Sequence, residues 1–299
     1  MKMIDLSIIL VNYNTTSLLA DAIDSVVQHT KQLDYEIIVV DNASTDDVLS
    51  LQTKFPAIKL KILSQNVGFG RANNAGVEEA NGRNILFLNP DTLLEDNSLK
   101  LLSDYLDAHE KVGICGANLY DANRLPAHSF KRLFPGILVE LDAACKGCLL
   151  PIRYGKNKEF NYGSKPLEVA YICGADLMIK RNVWNEVGGF DPAIFMYYED
   201  ALLCYQVKKK GYQVVSVPAA KVVHLEGKSF TLNEKRESII FAGRNVFFTT
   251  VYSSFYHKCA NFMGRMLLRV GIFVAKRKHN PSEAQKFAYR YGLYKNKKV

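Results

Sequence analysis

Four apolar runs in the first third of the chain each end in a compact polar cluster, and no other feature constrains the fold as strongly. The runs are Leu6–Val11, Glu36–Val40, Leu60–Leu63 and Ile85–Leu88. Short apolar runs that stop at turn-forming residues are typical of buried strands. In an open parallel sheet a ligand site lies outside the carboxyl ends of the strands. We therefore expect the four polar clusters to lie together at one edge of a sheet.

Helical patterns alternate with these runs. The segment Ser17–Val27 places Leu18 and Ala22 on one helical face, and Arg71–Ala80 and Ser98–Leu106 are predicted as further helices. Strand and helix in alternation predict an α/β fold with a mostly parallel central sheet flanked by helices. No G-x-G-x-x-G motif follows the first strand, which argues against a dinucleotide-dependent dehydrogenase.

The second half of the chain is less regular. Residues 120–166 show no clear periodicity, and loops of that length within a compact domain are often functional. Regular patterns return as a strand at Val169–Ile179, a helix at Asp200–Lys210 and a strand at Gln213–Val217. A short apolar run then precedes His224.

The charge of the chain is concentrated near its C-terminal end. The 299 residues carry a net charge of +8, and basic residues crowd the segments 276–278 and 295–298. This asymmetry indicates an anionic partner. The sequence carries no helix-turn-helix, zinc-finger or RNA-reading motif, so nucleic acid is not expected and an anionic lipid surface is the stronger hypothesis.

The cysteines and the N-terminus bear on the compartment. The six cysteines show no disulfide-framework spacing, and a strand pattern stands where a signal peptide would lie. Both observations predict a reduced, cytoplasmic protein. Cys145 and Cys148 have the spacing of a metal-binding pair, but no second pair or histidine cluster completes it, so we interpret them as unlinked thiols.

The apolar segment Phe262–Ala275 is interrupted by Arg265 and Arg269. It is too short and too charged to span a bilayer, which takes about 20 apolar residues. Two interpretations stay open: a helix lying in the membrane interface, or a helix packed on the rest of the protein with its arginines outward.

Six motifs in order resemble those of the family-2 glycosyltransferases, which have the GT-A fold. They are Ser7–Asn14, Ile37–Asp46, Asn66–Asn74, Phe87–Asp91, Gly188–Asp191 and Tyr198–Asp200. The Asn-Pro-Asp sequence in place of Asp-x-Asp is most similar to the rhamnosyltransferase-like members. The resemblance runs from about residue 4 to about residue 230. It implies a Rossmann-like GT-A catalytic domain over 1–232, with a nucleotide-binding half to about 118 and an acceptor half over 119–232. A basic amphipathic helical extension would occupy 233–299.

The resemblance also implies which residues bind a nucleotide-sugar donor. Asp41 corresponds to the residue that accepts the N3–H of a pyrimidine, a role that suits an ionised carboxylate because it only accepts hydrogen bonds. The alternative role for Asp41 is a helix N-cap. The other implied donor-binding residues are Asn12, Asn14, Asn66, Gly68, Arg71, Asn73, Asn89, Asp91 and Asp191. A tight turn is the competing interpretation of Gly188–Asp191.

A divalent metal is the implied cofactor. Asp91 corresponds to the carboxylate that binds Mg²⁺ or Mn²⁺ against the donor diphosphate. Asn89 stands where the Asp-x-Asp pattern has a second carboxylate, so the phosphates would have to complete the coordination. His224 falls where related enzymes have a further metal ligand, and a structural histidine after a strand is the equal alternative.

Asp200 corresponds to the catalytic base. A carboxylate at the start of a helix can take the proton of an acceptor hydroxyl, and helix capping is its alternative role. Glu199 is a candidate supporting residue. Members of the family usually continue with an acidic residue two positions after the base and an arginine six after it. This chain has Leu202 and Gln206 there, which puts that local salt-bridge pattern in doubt.

Taken together, the resemblance implies an inverting, metal-dependent transferase that moves L-rhamnose from dTDP-L-rhamnose. The implied acceptor is a lipid-linked glycan or a growing cell-surface polysaccharide, with the enzyme in the cytoplasm at the inner face of the cell membrane. Three alternatives stay open: the same fold using a UDP-hexose or another deoxysugar donor, a nucleotide-sugar-binding protein without turnover, and a nucleic-acid protein using the basic tail. The sequence leaves the oligomeric state open.

Overall fold

The computed structural model describes residues 4–145, 147–225 and 234–295. These residues form two compact units. The first contains the described residues up to 134, 154–195 and 199–225, and the second contains those in 135–153, 196–198 and from 234 onward. The second unit therefore includes residues 135–153, which the sequence analysis places in an acceptor half.

Eleven strands are found in the described residues, all of them in the first unit. They are β1 Leu6–Asn12, β2 Tyr35–Asp41, β3 Lys59–Ile62, β4 Asn84–Leu88, β5 Thr92–Leu94, β6 Val112–Tyr120, β7 Phe130–Lys131, β8 Leu167–Glu168, β9 Tyr171–Ile172, β10 Asp176–Lys180 and β11 Gln213–His224.

The described residues of both units together contain eleven α-helices and one 3₁₀ helix. They are α1 Thr16–His29, α2 Ser50–Lys54, α3 Phe69–Val77, α4 Ser98–Ala108, α5 Ile137–Ala144, α6 Leu150–Tyr154, the 3₁₀ helix Gly155–Lys158, α7 Arg181–Val187, α8 Glu199–Lys209, α9 Glu234–Val251, α10 Ser254–Arg277 and α11 Pro281–Leu293.

The central sheet is mixed but mostly parallel in its N-terminal half. Its strand order is β3-β2-β1-β4-β10-β6-β11-β5, and β8 pairs with β11. Strands β1 to β4 run parallel to one another, whereas β10 is inserted antiparallel between β4 and β6. Strands β7 and β9 form a separate two-stranded sheet. The predicted α/β class, the mostly parallel sheet and the C-terminal helical extension are confirmed.

The sheet is buried on both faces, which explains why its strands read as continuous apolar runs. Every residue of β1 is buried. Alternate residues of that strand serve opposite faces: Leu6, Ile8 and Leu10 lie in the core that contains α1 and α4, while Ile9 and Val11 lie in the core on the other side. Complete burial of one such side chain stabilises the fold by about 1.5–3 kcal/mol.

Three sequence-based expectations for the second half were wrong in detail. Residues 120–166 are not irregular throughout, since they contain β7, α5, α6 and the 3₁₀ helix, all too short to show a period. The single strand expected at Val169–Ile179 is divided into β9 and β10. The runs around Gln213–Val217 and before His224 form one strand, with a shift of register between Val217 and Lys221 next to Pro218.

The second unit is helical. Helices α10 and α11 pack closely, with Phe287 against Gly271, and the buried guanidinium of Arg244 pairs with Glu140 and Asn261. Cys145 is an exposed free thiol. Among the helices that the structure describes, none combines the length and the low polarity that a crossing of the bilayer requires.

Candidate active site

Asn12 and Asp41 end the neighbouring strands β1 and β2 and lie opposite each other in the parallel register. Asn12 Nδ2 donates to Asp41 Oδ1 at 3.0 Å, and the Ser44 backbone N–H donates to Asp41 Oδ2 at 3.1 Å. Asp41 is only 2% exposed. An ionised carboxylate offers about four acceptor positions, so these two bonds orient Asp41 and leave capacity for a further donor.

Asn14 connects the loops that follow these two strands. Its φ of 57° places it in the left-handed region, which asparagine tolerates better than most residues. Its Oδ1 accepts from both the backbone N–H and the hydroxyl of Thr45, at 2.7 and 2.9 Å. The first two polar clusters of the sequence are therefore joined, as the sheet topology predicts.

Asn66 and Gly68 shape the loop before α3. Asn42 Nδ2 donates to Asn66 Oδ1 at 3.0 Å, and the same oxygen accepts from the Gly68 N–H at 2.9 Å. Gly68 has a φ of 91°, and a Cβ there would lie 2.2 Å from the carbonyl oxygen of Phe195. This position accepts only glycine, because both the backbone conformation and the space exclude a side chain.

Three further predicted donor-binding residues make hydrogen bonds within the protein: Arg71, Asn73 and Asp191. Arg71 Nε donates to the Pro192 carbonyl at 2.6 Å, and the buried Asn73 donates to the Phe69 carbonyl at 3.0 Å. Asp191 Oδ1 accepts from the Ala193 N–H at 2.9 Å, which is a turn contact. These bonds fit structural roles, and the predicted donor contacts of the three residues stay predictions.

The buried Asp91 and His224 form a polar cluster with the half-buried Asn89. His224 ends β11 opposite Thr92, and its Nε2 lies 3.2 Å from Asp91 Oδ1 and 3.4 Å from Asn89 Nδ2. The Leu225 N–H also donates to the Asp91 carbonyl at 2.9 Å. Two residues that are 133 positions apart in the sequence thus present a carboxylate and an imidazole side by side.

Asp200 is the second residue of α8. Its Oδ2 accepts from the Gly174 N–H at 3.2 Å and its Oδ1 from the Ala201 N–H at 2.7 Å. The side chain keeps part of its surface exposed. Burial of the carboxylate raises its pKa to about 6, although the two backbone N–H groups and the charge of Lys131 act in the opposite direction.

Glu199 precedes Asp200 and has a different environment. It is buried, and its Oε2 has no hydrogen-bond partner among the described residues. Burial, followed by the neighbouring charge of Asp200, raises the pKa of Glu199 to about 8. At neutral pH the pair therefore consists of an ionised Asp200 that can accept a proton and a protonated Glu199.

Lys131 lies near Asp200, and no motif in the sequence predicted it. Lys131 Nζ pairs with Glu159 at 2.6 Å, and β7, which carries Lys131, pairs with β9 just before Gly174. Burial and the charge of Lys131 lower the pKa of the nearby His128 to about 4, so its imidazole is neutral. The only sequence feature that pointed to Lys131 and His128 is the basic composition of residues 120–166. The strand that carries Lys131 has two residues, which is too short to show a period.

The known family whose model matches residues 7–188 is described as glycosyl transferase family 2. The match covers more than half of the chain and contains Asn12, Asp41, Asn66 and Asp91, the polar residues at or after the ends of β1 to β4. The chain belongs to glycosyl transferase family 2.

Two relatives of this chain have names that specify rhamnose. The N-acetylglucosaminyl-diphospho-decaprenol L-rhamnosyltransferase of Mycobacterium tuberculosis is 25% identical over 207 residues, which is 64% of this chain and 67% of that one. The dTDP-rhamnosyl transferase RfbF of Shigella flexneri is 22% identical over 208 residues, covering 69% and 64% of the two chains.

A solved structure supports the fold. The crystal structure of GalNAc-T7 with UDP, GalNAc and Mn²⁺ superimposes with a TM-score of 0.57 at 15% identity. The superposition covers 82% of this chain and 50% of that one. At this level of identity the similarity establishes the GT-A-like fold of this family 2 glycosyltransferase and nothing finer.

Proposed function

We propose that this chain is an inverting glycosyltransferase that moves L-rhamnose from dTDP-L-rhamnose onto a lipid-linked or polysaccharide acceptor in cell-surface glycan synthesis. The observation that carries the proposal is the carboxylate of Asp200. It lies at the start of α8, is held by the Gly174 N–H, and has a pKa of about 6 because it is buried. A general base works best when its pKa lies near the operating pH.

The proposed reaction is a single displacement at the anomeric carbon. The acceptor oxygen forms the new bond to that carbon while its proton passes to Asp200. The bond between the anomeric carbon and the diphosphate oxygen breaks on the opposite face, and its electron pair leaves with the nucleoside diphosphate. One displacement inverts the configuration at that carbon.

The donor assignment rests on two kinds of support. The buried Asp41, oriented by Asn12 and Ser44, has the acceptor capacity that the N3–H of thymine or uracil requires. Because both bases offer that N–H, Asp41 does not select between them. Rhamnose follows from the names of both relatives and the thymidine nucleotide from the name of RfbF alone, so a donor screen has to decide this part of the proposal.

A divalent metal needs more ligands than the cluster of Asn89, Asp91 and His224 offers alone. A carboxylate oxygen and an imidazole nitrogen 3.2 Å apart can share one ion, and rotation of the Asn89 amide would bring its oxygen toward it. In the described residues no group of three His, Cys, Asp or Glu side chains is close enough to hold a metal. The cluster would therefore hold a Mg²⁺ or Mn²⁺ ion only together with the phosphates of the bound donor.

In this proposal Asp91 and His224 hold the ion. When bound there, a divalent ion supplies positive charge beside the departing diphosphate. The protein's own contribution is to hold the two ligands in a buried position at the ends of β4 and β11.

Helix α10 supports the proposed membrane partner. Five of its apolar side chains are 52–78% exposed: Phe255, Phe262, Met266, Val270 and Phe273. At 3.6 residues per turn these five lie within about 80° of arc, and we call them the α10 stripe. A row of basic residues borders one side of the stripe: Lys258, Arg265, Arg269 and Lys276. An apolar stripe beside a basic row is the pattern that binds an anionic bilayer surface, so we place the enzyme at the inner face of the cell membrane.

A thermal-shift screen tests the donor and the metal. We expect dTDP-L-rhamnose with Mn²⁺ to raise the melting temperature, because a ligand that binds only the folded state stabilises it. UDP-glucose, UDP-galactose and GDP-mannose are the comparison donors, each with and without the ion. A larger shift with UDP-hexose would replace the donor assignment, and no shift with any nucleotide sugar would contradict the proposed function.

Replacement of the base tests catalysis. We expect Asp200→Asn to lower turnover by about 10²- to 10⁴-fold while donor affinity is retained. In the wild type, turnover should rise with pH through about 6, where Asp200 loses its proton. Equal turnover of wild type and variant would exclude Asp200 as the base, and donor binding without turnover in the wild type would indicate a binding protein.

A further inference from the structure

The two residues before the Glu199–Asp200 pair have an unusual backbone. Tyr197 and Tyr198 have φ values of 68° and 75°, the left-handed region that bulky residues rarely adopt. Two consecutive tyrosines in this region do not hold that shape by themselves. The surrounding structure must impose it, and such imposed conformations occur at functional sites.

Helix α9 supplies the contacts that hold this segment. Residues 196–198 belong to the second unit, together with α9, although the residues on either side belong to the first. A Cβ built on Gly243 of α9 would lie 2.3 Å from the Tyr197 carbonyl oxygen and 3.3 Å from that of Met196. The backbone of the segment therefore lies directly against the backbone of the helix, at a site where only glycine leaves room.

Aromatic and cationic contacts reinforce this approach. The ring of Tyr198 lies 6.0 Å from the ring of Phe247, one turn after Gly243 on the same helix, and Phe247 is fully buried. The guanidinium of Arg236 lies over the ring of Tyr197 at 5.5 Å. Three points on one helix thus contact two consecutive residues, and the peptide that follows them carries Glu199 and Asp200.

We propose that Gly243 and Phe247 are positioning residues for the reaction: helix α9 fixes the strained Tyr197–Tyr198 segment and thereby places the carboxylate of Asp200. This inference rests on the proposed function, because it takes Asp200 as the base. The α9 contacts do not touch the reacting atoms in this proposal. Their effect is on where the base stands, so their loss lowers turnover without lowering donor affinity.

The substitution Gly243→Ala tests the proposal. To restore an ordinary carbon–oxygen separation of about 3.3 Å, the Tyr197 carbonyl must move back by about 1 Å. A displacement of that size at a catalytic group costs about 10²-fold in rate. We expect the kcat of the full-length variant to fall by about 10²-fold, with its KM and its Kd for the nucleotide-sugar donor changed by less than about 2-fold.

Two matched glycines serve as controls in the same helical unit. Gly292 of α11 has no atom within 4 Å of its Cβ position, so Gly292→Ala should leave kcat unchanged. Gly271 of α10 is crowded, because the ring of Phe287 on α11 lies 3.0 Å from its Cβ position. Gly271→Ala therefore disturbs the packing of α10 on α11, and we expect its kcat to stay within about 2-fold of wild type. A loss of kcat in Gly271→Ala equal to that in Gly243→Ala would overturn the proposal in favour of a general packing effect.

Hydrogen–deuterium exchange gives a readout that does not depend on activity. In Gly243→Ala the peptides that cover residues 196–201 should exchange faster, whereas in Gly271→Ala the change should be confined to α10 and α11. If the wild type transfers no sugar from any donor, the proposed function fails, and the exchange pattern still decides whether α9 holds the segment. Unchanged exchange at 196–201 together with wild-type kcat in folded Gly243→Ala would refute the inference.

A second variant covers the case in which Gly243→Ala does not fold. Phe247→Leu keeps an apolar side chain in the buried site but removes the ring that faces Tyr198. We expect the same result as for Gly243→Ala: a lower kcat, an unchanged Kd for the donor, and faster exchange over residues 196–201. A Phe247→Leu protein with wild-type kcat would refute the role of this contact.

Discussion

Replacement of the buried glutamate next to the base should stabilise the protein, and increasingly so as the pH rises. Glu199 is 7% exposed and its Oε2 lacks a hydrogen-bond partner in the described parts of the chain. Burial and the charge of Asp200 raise its pKa from the ordinary value of 4.5 to about 8. Between these two values the folded protein keeps a proton that the unfolded chain releases.

The sign and the size of the effect follow from this difference in bound protons. Because the folded state binds more protons, the free energy of unfolding falls as the pH rises from about 4.5 to about 8. The loss is at most about 1.4 kcal/mol per pH unit, so over the whole window it is at most roughly 5 kcal/mol. Glu199→Gln keeps the shape of the neutral side chain and removes the proton linkage, so the variant escapes this loss.

Urea unfolding at pH 5, 6, 7 and 8, followed by the fluorescence of the single tryptophan, Trp184, measures the effect. We expect the stability of Glu199→Gln relative to wild type to increase by about 1 kcal/mol per pH unit. Glu110→Gln, a change at an exposed glutamate, is the surface control for the loss of one carboxylate. Parallel stability curves for Glu199→Gln and wild type would show that Glu199 is ionised in the folded protein and would refute the reasoning.

Three further predictions concern the metal cluster, a glycine and the α10 stripe. Asp91→Ala should abolish the part of donor affinity that depends on Mn²⁺ in calorimetric titrations, and retained metal-dependent affinity would contradict its role. Gly68→Ala should cost about 2–5 kcal/mol in urea unfolding, because a left-handed conformation and an overlap with a backbone oxygen combine. Gly211→Ala, with a similar φ of 93° but open space around it, should cost only about 1–2 kcal/mol. Replacement of both Phe262 and Phe273 by serine should lower binding to anionic vesicles at least about 10-fold in sedimentation assays, and unchanged binding would exclude the α10 stripe as the contact.

The sequence predicts the nucleotide-binding half well because its signals are local. Strands β1, β2 and β4 are buried apolar runs, and the meeting of the polar residues after them follows from parallel topology. The contact between Asn12 and Asp41 confirms that two of these clusters meet. The pairing of Asp91 with His224 depended on the family resemblance, since no period or spacing relates residues on β11 to the loop after β4.

The region around Asp200 could not be predicted to the same depth. The strand β10 is inserted antiparallel between β4 and β6, and its residues read like those of any other buried strand. Lys131 is placed by a two-residue strand, and the left-handed conformation of Tyr197 is imposed by residues more than 40 positions later. These features depend on long-range packing, which a short window of sequence does not predict.

We relate the raised pKa of Glu199 to the departure at Gln206. The resemblance to the family implies an arginine where this chain has Gln206, seven positions after the glutamate. Residues seven apart lie on the same side of a helix, two turns apart. An arginine there could balance an ionised glutamate, whereas Gln206 cannot, and its Oε1 is itself buried without a partner among the described residues. Leu202, in place of the usual acidic residue, is fully buried and adds apolar surroundings. With no positive charge to favour the ionised form, burial dominates and Glu199 keeps its proton, so that the negative charge of the pair is concentrated on Asp200, where the proposed base needs it.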